Sequence, residues 1–150
     1  MKKLAIGAVL VLTLAAAAGC GGGGGGTLSK EEYSAKLSKV CADLSAKTKE
    51  IGVPSSPDEV VAKGPQLAGQ FQKAIDDAKK LKPPSELKDA ADRFVSLNQR
   101  IHDKIEELID AAKKQDAVKL ARIAISIDTL SKESDGIATA ELNASACKES

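Results

Sequence analysis

The chain has 150 residues, and its 22 lysines and arginines against 21 aspartates and glutamates give a formal net charge of +1 at pH 7. Nucleic-acid-binding proteins usually carry a basic excess or a basic patch. The aromatic side chains on which bases could stack are only Tyr33, Phe71 and Phe94, with no tryptophan. We therefore expect no nucleic-acid partner. The abundance of Ala, Leu, Lys and Glu favours helix over sheet, and the length suits one domain.

Residues 1–19 are typical of an export signal. Lys2 and Lys3 form a short basic region, residues 4–18 are apolar except for Thr13, and the stretch closes on small side chains. It is short for a transmembrane helix, which needs about 20 apolar residues. A retained anchor helix is therefore the lesser alternative, and plain secretion is another. If the signal peptide is cleaved after export, the mature chain lies outside the cytoplasm.

The sequence Ala17-Ala18-Gly19-Cys20 resembles the bacterial lipobox, although Ala17 stands where that motif usually has leucine. The resemblance implies cleavage just before Cys20, lipidation of this cysteine, and anchoring to the cell membrane by its acyl chains. The glycines within residues 20–27 predict a flexible tether, because glycine has no side chain to pack. A phosphate-binding loop is the weaker alternative, since no strand precedes the run and the Lys–Ser/Thr pattern is absent.

The first predicted helix covers residues 29–51. Ser29 and Glu32 have the spacing of a capping box, while Gly52 followed by Pro54 ends the helix. Helical spacing predicts an inward face of Tyr33, Leu37, Val40, Leu44 and Ile51.

The second predicted helix begins at Ser56, with proline in the first position and Glu59 completing a second box, and it ends before Pro83-Pro84. We expect a kink or a short break at Gly64-Pro65, because proline removes a backbone donor and crowds the preceding turn. The predicted inward face consists of Val60, Leu67, Phe71, Ile75, Ala78 and Leu81.

The third and fourth predicted helices complete the body of the chain. Ser85 is predicted to cap the third, over residues 86–114, and Asp116 to cap the fourth, which Gly136 weakens near its end. The third helix is predicted to bury Leu87, Ala91, Phe94, Leu97, Ile101, Ile105, Leu108 and Ala112. The fourth is predicted to bury Leu120, Ala124, Ile127, Leu130 and Ile137.

Short links make consecutive helices antiparallel neighbours. The pattern therefore predicts an all-α fold, an up-down-up-down four-helix bundle over residues 28–150, after a cleaved signal peptide and a glycine linker.

The three cysteines have separate predicted roles. If Cys20 carries lipid, Cys41 and Cys147 remain, and export places them where two leftover cysteines usually form a disulfide. Cys41 lies about twelve residues, or roughly 18 Å, from the start of the first helix. A bond to Cys147 therefore requires that the fourth helix end early, or that the tail after it fold back along the first helix. Two buried free thiols are the alternative.

The chain also resembles a loose group of small, uncharacterised exported helical proteins and lipoproteins of high-GC Gram-positive bacteria. The resembling parts are residues 33–41, residues 81–87, Asp116 and Cys147. The resemblance implies a two-cysteine helical bundle, and it supplies no catalytic residues.

The polar residues show no pattern of a reactive site. His102 is the single histidine, and a zinc site needs three or four converging ligands, so we interpret it as a surface or rim residue. The carboxylate pairs Asp76-Asp77 and Glu106-Glu107 point roughly 100° apart on a helix, which indicates solvated, ion-paired faces. We expect no catalytic residue, no metal, no cofactor and no enzymatic activity.

Two function classes remain. The leading expectation is a membrane-tethered, non-enzymatic bundle of the cell envelope with a binding or structural role and an envelope protein as partner. The alternative is a carrier of a small apolar or cationic ligand, with Asn98 or Arg100 at the mouth of a cavity inside the bundle. Asn98 could instead set helix register, or simply flank the apolar face of its helix.

Overall fold

The computed structural model describes residues 26–149. These residues form four α-helices, a 3₁₀ turn at Ser85–Leu87 and a C-terminal 3₁₀ turn at Ser145–Glu149. The α-helices are α1 (Lys30–Ile51), α2 (Pro57–Lys80), α3 (Lys88–Lys113) and α4 (Ala117–Ala140). The predicted all-α four-helix bundle is confirmed. The predicted export signal, Cys20 and most of the glycine tether lie outside the described residues.

The bundle closes in an indirect way. Each helix packs against the next, whereas α1 and α4 meet mainly through the C-terminal turn, which contacts both of them. The backbone just before α1 is bonded to the linker between α2 and α3, because the Leu28 amide donates to the Lys82 carbonyl at 2.9 Å. Across the described part of the chain, none of the helices is both long enough and apolar enough to span a bilayer.

The predicted start of α1 is confirmed. The Glu32 amide donates to the Ser29 hydroxyl at 3.2 Å, and the Ser29 amide donates to the Glu32 carboxylate at 2.9 Å, so both arms of the capping box are present. Gly52 ends the helix at φ +84°, a conformation that glycine adopts without strain, and its amide donates to the Thr48 carbonyl.

The start of α2 differs from the prediction in one bond. Ser56 does cap the helix, accepting from the Glu59 amide at 3.3 Å. The Glu59 carboxylate, however, reaches back to the amide and hydroxyl of Ser55 rather than to Ser56, with both contacts at 2.7 Å. The backbone bond from Ser55, followed by the bond from Lys63, lowers the pKa of Glu59 to about 2.

Of the kink or short break predicted at Gly64-Pro65, the break is wrong, because α2 runs through these residues without interruption. Pro65 is exposed, so the carbonyl one turn earlier that loses its helical donor lies on the solvent-facing side, where water can bond it. Gly64 is buried against α3. A Cβ atom there would stand 2.6 Å from Cγ1 of Ile109, closer than carbon atoms can approach.

The start of α3 is also corrected. Ser85 makes no capping bond; residues 85–87 form a 3₁₀ turn in which the Leu87 amide donates to the Pro84 carbonyl at 3.0 Å. Leu87 is buried, and the α-helix starts only at Lys88. The fourth cap is as predicted, since the Asp116 carboxylate accepts from the Lys119 amide at 2.9 Å.

The core draws on all four helices and the C-terminal tail. Tyr33, near the start of α1, is almost fully buried. Burial, together with the nearby Asp92 carboxylate, raises the pKa of Tyr33 to about 12. Of the predicted inward residues, the buried ones are Tyr33, Leu37, Leu44, Ile75, Ala78, Leu87, Ala91, Phe94, Leu97, Ile101, Ala112, Leu130 and Ile137. The half-buried ones are Val40, Ile51, Val60, Leu67, Phe71, Leu81, Ile105, Leu108, Leu120 and Ile127.

The predicted inward face of α4 is partly wrong. Ala124 is exposed, and its neighbour Ile123 is buried in its place. The first half of α4 is apolar on several sides, with Val118 at 63% and Ile125 at 68% exposure. Helical spacing alone therefore could not select the face that packs on α3.

The predicted disulfide is confirmed, and the tail folds back along α1 as one of the two predicted routes required. Cys41 and Cys147 are joined across a sequence separation of 106 residues. The Ser34 hydroxyl donates to the Leu142 carbonyl at 2.6 Å, and Leu142 is fully buried. A loop of this size stabilises the folded state by about 4–5 kcal/mol in the chain-entropy model.

The glycines of α2 offer a matched pair of substitutions. Gly64→Ala should destabilise the bundle by about 1–3 kcal/mol, because the new methyl group overlaps Ile109. Gly69→Ala, where nothing lies within 4 Å of the new Cβ, should stabilise it by about 1 kcal/mol through helix propensity. Urea unfolding followed by far-ultraviolet circular dichroism measures both. The Ile109→Ala background should remove most of the cost of Gly64→Ala; an unchanged cost there would contradict the packing explanation.

Candidate functional site

A cavity of about 70 Å³ lies inside the bundle and is lined by all four helices and by the disulfide. We call it the inner chamber. Its apolar wall consists of Val40, Cys41, Leu44, Phe71, Ala74, Ile75, Ala78, Phe94, Val95, Ile101 and Cys147. Its polar wall consists of Asn98, Ser131, Ser134 and Asp135. The volume exceeds the roughly 10–15 Å³ that one water molecule needs, so the chamber is real space and not a packing defect.

Asn98 and Ser134 form the polar link between α3 and α4 at this chamber. The Asn98 side-chain nitrogen donates to the Phe94 carbonyl and to the Ser134 hydroxyl, both at 2.8 Å. Ser134 is buried, so the bond satisfies a group that would otherwise lose its hydration. Asn98 therefore links α3 to α4 and lines the chamber, as one of its predicted roles required.

Of the described residues that line the chamber, Asp135 is the one with an ionisable side chain. Desolvation raises the pKa of its carboxyl group above 3.8, and Lys148 of the C-terminal turn opposes the shift. Among the described residues, no ion pair within 4 Å includes Asp135. A half-buried carboxylate is thus held beside the chamber without a direct cationic partner.

A second space of about 320 Å³ extends toward the end of the bundle where α1 ends and α4 begins. We call it the outer groove. Its lining side chains are Thr48, Val53, Pro54, Val60, Gly64, Leu67, Phe71, Ile101, Ile105, Leu108, Ile109, Ile127 and Ser131. All but two of these, a threonine and a serine, are apolar or glycine.

The chamber and the groove adjoin. Phe71, Ile101 and Ser131 line both of them. The C-terminal tail lies between α1 and α4, and the disulfide joins it to α1 at Cys41. The outer groove lies further along α1, at the level of Thr48. The chamber next to the tail therefore carries most of the polar groups, and the adjoining groove is almost entirely apolar.

The other residues singled out in the sequence lie elsewhere. Arg100 is exposed and lines neither space. His102 is buried, with its side chain 11% exposed, so its interpretation as a surface or rim residue is wrong. The reason is that α3 packs against both α2 and α4, which buries more of its circumference than one apolar stripe suggests. Nδ1 of His102 is buried without a hydrogen bond in the described structure, 3.7 Å from the Asp103 carboxylate.

The two carboxylate pairs lie on ion-paired surfaces. Asp77 pairs with Lys73 at 2.5 Å and with Lys80 at 2.7 Å, and these bonds lower its pKa. Glu107 pairs with Lys104 at 2.7 Å. Within residues 26–149, no group of three His, Cys, Asp or Glu side chains is placed to hold a metal ion.

Sequence reasoning missed Ser131 and Asp135 as site residues. They are one helical turn apart on α4, and Ser134 lies beside them, so three polar residues cluster on a face that also carries Leu130 and Ile137. Polar residues at i and i+4 on an otherwise apolar face were the available signal. Because the sequence did not show which face of α4 points inward, this signal was not recognised.

No protein-family model, no curated protein and no solved structure matches this chain. The chemistry of the chamber and of the outer groove is therefore the basis for assigning a function.

The raised pKa of Asp135 has a consequence for stability. The folded state binds the proton of the Asp135 carboxyl group more tightly than the unfolded state does. The stability of the folded state therefore falls as pH rises above 3.8, and this loss is complete once the carboxyl group of the folded protein has ionised. Asp135→Asn should therefore raise the urea midpoint at pH 7 relative to the native chain, with little difference at pH 3.

Asp128 supplies the control for that measurement. It lies on the same helix, is exposed, and pairs with Lys132 at 2.7 Å. Asp128→Asn should leave the pH 7 midpoint unchanged or slightly lower, since exposed ion pairs contribute about 0–1 kcal/mol. A loss of stability in Asp135→Asn at pH 7 would show that the carboxylate makes a stabilising contact instead.

Proposed function

We propose that this chain is a membrane-anchored extracytoplasmic lipoprotein whose helical bundle carries a small, largely apolar ligand. The observation that supports the carrier role is the continuous lining shared by the inner chamber and the outer groove, between all four helices. The expected envelope location comes from the lipobox-like sequence before Cys20 and from the glycine run that follows it. This role is the alternative function drawn from the sequence, and the cavity favours it over a purely structural bundle.

Packing energetics support the carrier role. Protein interiors are close-packed, and unfilled apolar space forfeits dispersion contacts. The outer groove, at about 320 Å³, reaches the lower part of the roughly 300–1,000 Å³ range of ligand pockets. Its walls are apolar, and a few polar groups converge at the inner end, which is the usual composition of a small-molecule site. A ligand that fills this space would restore the missing contacts.

The carrier role predicts binding of an uncharged apolar probe. N-phenylnaphthylamine should fluoresce more strongly with the soluble bundle, residues 26–150, than in buffer. Ser131→Phe should weaken binding at least roughly tenfold, because the ring occupies the place where the chamber and the groove adjoin. Thr129→Phe adds the same ring on the exposed side of α4 and should bind the probe as the native chain does.

Circular dichroism of both variants establishes that they fold. Equal probe binding by Ser131→Phe and Thr129→Phe would place the probe outside the cavity and contradict the carrier role. No fluorescence increase with the native bundle would contradict it as well.

The anchor is tested separately in cells. Cys20→Ala in the full-length chain should release the protein from membranes or stall its processing, because a thiol is needed to carry the acyl chains. Membrane fractionation and mass spectrometry of the mature protein measure the outcome. The exposed residue Ser29, after the tether, offers a control: Ser29→Ala weakens a helix cap and should leave fractionation unchanged. Normal processing and membrane retention of Cys20→Ala would contradict the lipoprotein assignment.

A second candidate function is binding of an envelope protein. Val118 and Ile125 lie two turns apart on one face of α4 and are the most exposed large apolar side chains of that helix. An exposed apolar face of this kind is typical of a protein-contact surface. This candidate becomes the better supported one if the apolar probe does not bind the cavity.

A further inference from the structure

We propose that the ligand is an amphiphilic amine, bound with its ammonium group beside Asp135 in the inner chamber and its apolar chain along the outer groove. This inference rests on the proposed carrier function and specifies the ligand class for the same cavity.

The charge of the chamber selects the head group. Among residues 26–149, Asp135 is the only ionisable residue on the chamber wall, and no lysine, arginine or histidine of this part of the chain lines either the chamber or the groove. A carboxylate or phosphate head would meet a like charge at the inner end. An ammonium group would meet an opposite one in a setting less polar than bulk water, where charge pairing is stronger.

The hydrogen-bonding groups point to the same ligand class. Both hydrogen bonds of the Asn98 side chain use its nitrogen as donor, to Phe94 and to Ser134. Its carbonyl oxygen accepts no hydrogen bond from the described residues. Because Asn98 and Asp135 both line the chamber, this oxygen and the Asp135 carboxylate are the acceptors that these two residues can offer to a ligand there. An ammonium group carries up to three N–H donors and no acceptor, which complements such a wall.

The one nearby cation does not neutralise the carboxylate directly. Lys148 acts on Asp135 through space and opposes the pKa rise, yet no ion pair within 4 Å joins the two residues in the described structure. Lys148 is exposed on the C-terminal turn, where water screens it. The carboxylate therefore keeps one side toward the chamber for a ligand.

The shape of the cavity calls for an apolar chain on that amine. Asn98 lines the chamber, and Ile109 lines the far part of the outer groove. Both residues belong to α3, where eleven helical positions separate them by roughly 16 Å along the helix axis. Phe71 and Ile101 line both spaces between those limits. A compact cation would leave the groove empty, whereas a chain attached to the amine would fill it.

Three probes of equal chain length test the head group: octylamine, octanol and octanoate. Each is titrated at pH 7 against the soluble bundle with bound N-phenylnaphthylamine, and calorimetry measures direct binding. Octylamine should displace the probe at a concentration at least roughly tenfold lower than octanol, because a hydrogen bond to a charged group is stronger than a neutral one. Octanoate should be the weakest competitor.

Asp135→Asn should abolish the advantage of octylamine while leaving octanol binding unchanged. Asp128→Asn, which removes an exposed carboxylate from the same helix, should keep the advantage. Circular dichroism of both variants at pH 7 verifies the fold.

The failures of the two proposals are distinguishable. If the probe binds but octylamine and octanol compete equally, or if Asp135→Asn leaves the preference intact, the amine proposal is wrong and the carrier function stands. If neither the probe nor any of the three octyl compounds binds, both proposals are overturned.

Discussion

The structure depends on one covalent constraint: the disulfide that fixes the C-terminal tail against α1. Neighbouring helices in sequence pack directly, but α1 and α4 meet mainly through that tail. Leu142 and Ala144 are fully buried there, and the Ser34 hydroxyl bonds the Leu142 carbonyl across the seam. The Cys41–Cys147 bond holds the tail in this position. The tail and this bond thereby close the bundle between its first and last helices.

The same constraint explains why the bundle contains usable space. The tail fills the gap between α1 and α4 up to the level of Cys41, so the disulfide itself forms part of the chamber wall. The apolar outer groove lies further along α1, at the level of Thr48. Asp135 stands near the boundary, where burial raises its pKa. The proposed cationic ligand would offset the unfavourable burial of this carboxylate.

Local signals predicted much of the fold because the physics behind them is local. The cap at Ser29, the stop at Gly52 and the cap at Asp116 depend only on bonds within a turn or two, and all three are present. Predictions that depended on packing were less accurate. Pro65 did not break α2, because its missing bond falls on the solvent side, and His102 is buried, because α3 has neighbours on two sides.

The sequence by itself indicated the helices and their order, since periodicity and turn chemistry are properties of the chain alone. It also predicted the pairing of Cys41 with Cys147, on the condition that Cys20 carries lipid. It also singled out Asn98 as a residue that could line a pocket. Only the tertiary structure decided which face of α4 turns inward, because apolar residues surround its first half and spacing cannot choose between them. That choice brings Ser131 and Asp135 to the chamber, whereas Arg100 of α3 is exposed and does not line it. The site is thus a product of how four helices and a tail share one interior, which no single segment encodes.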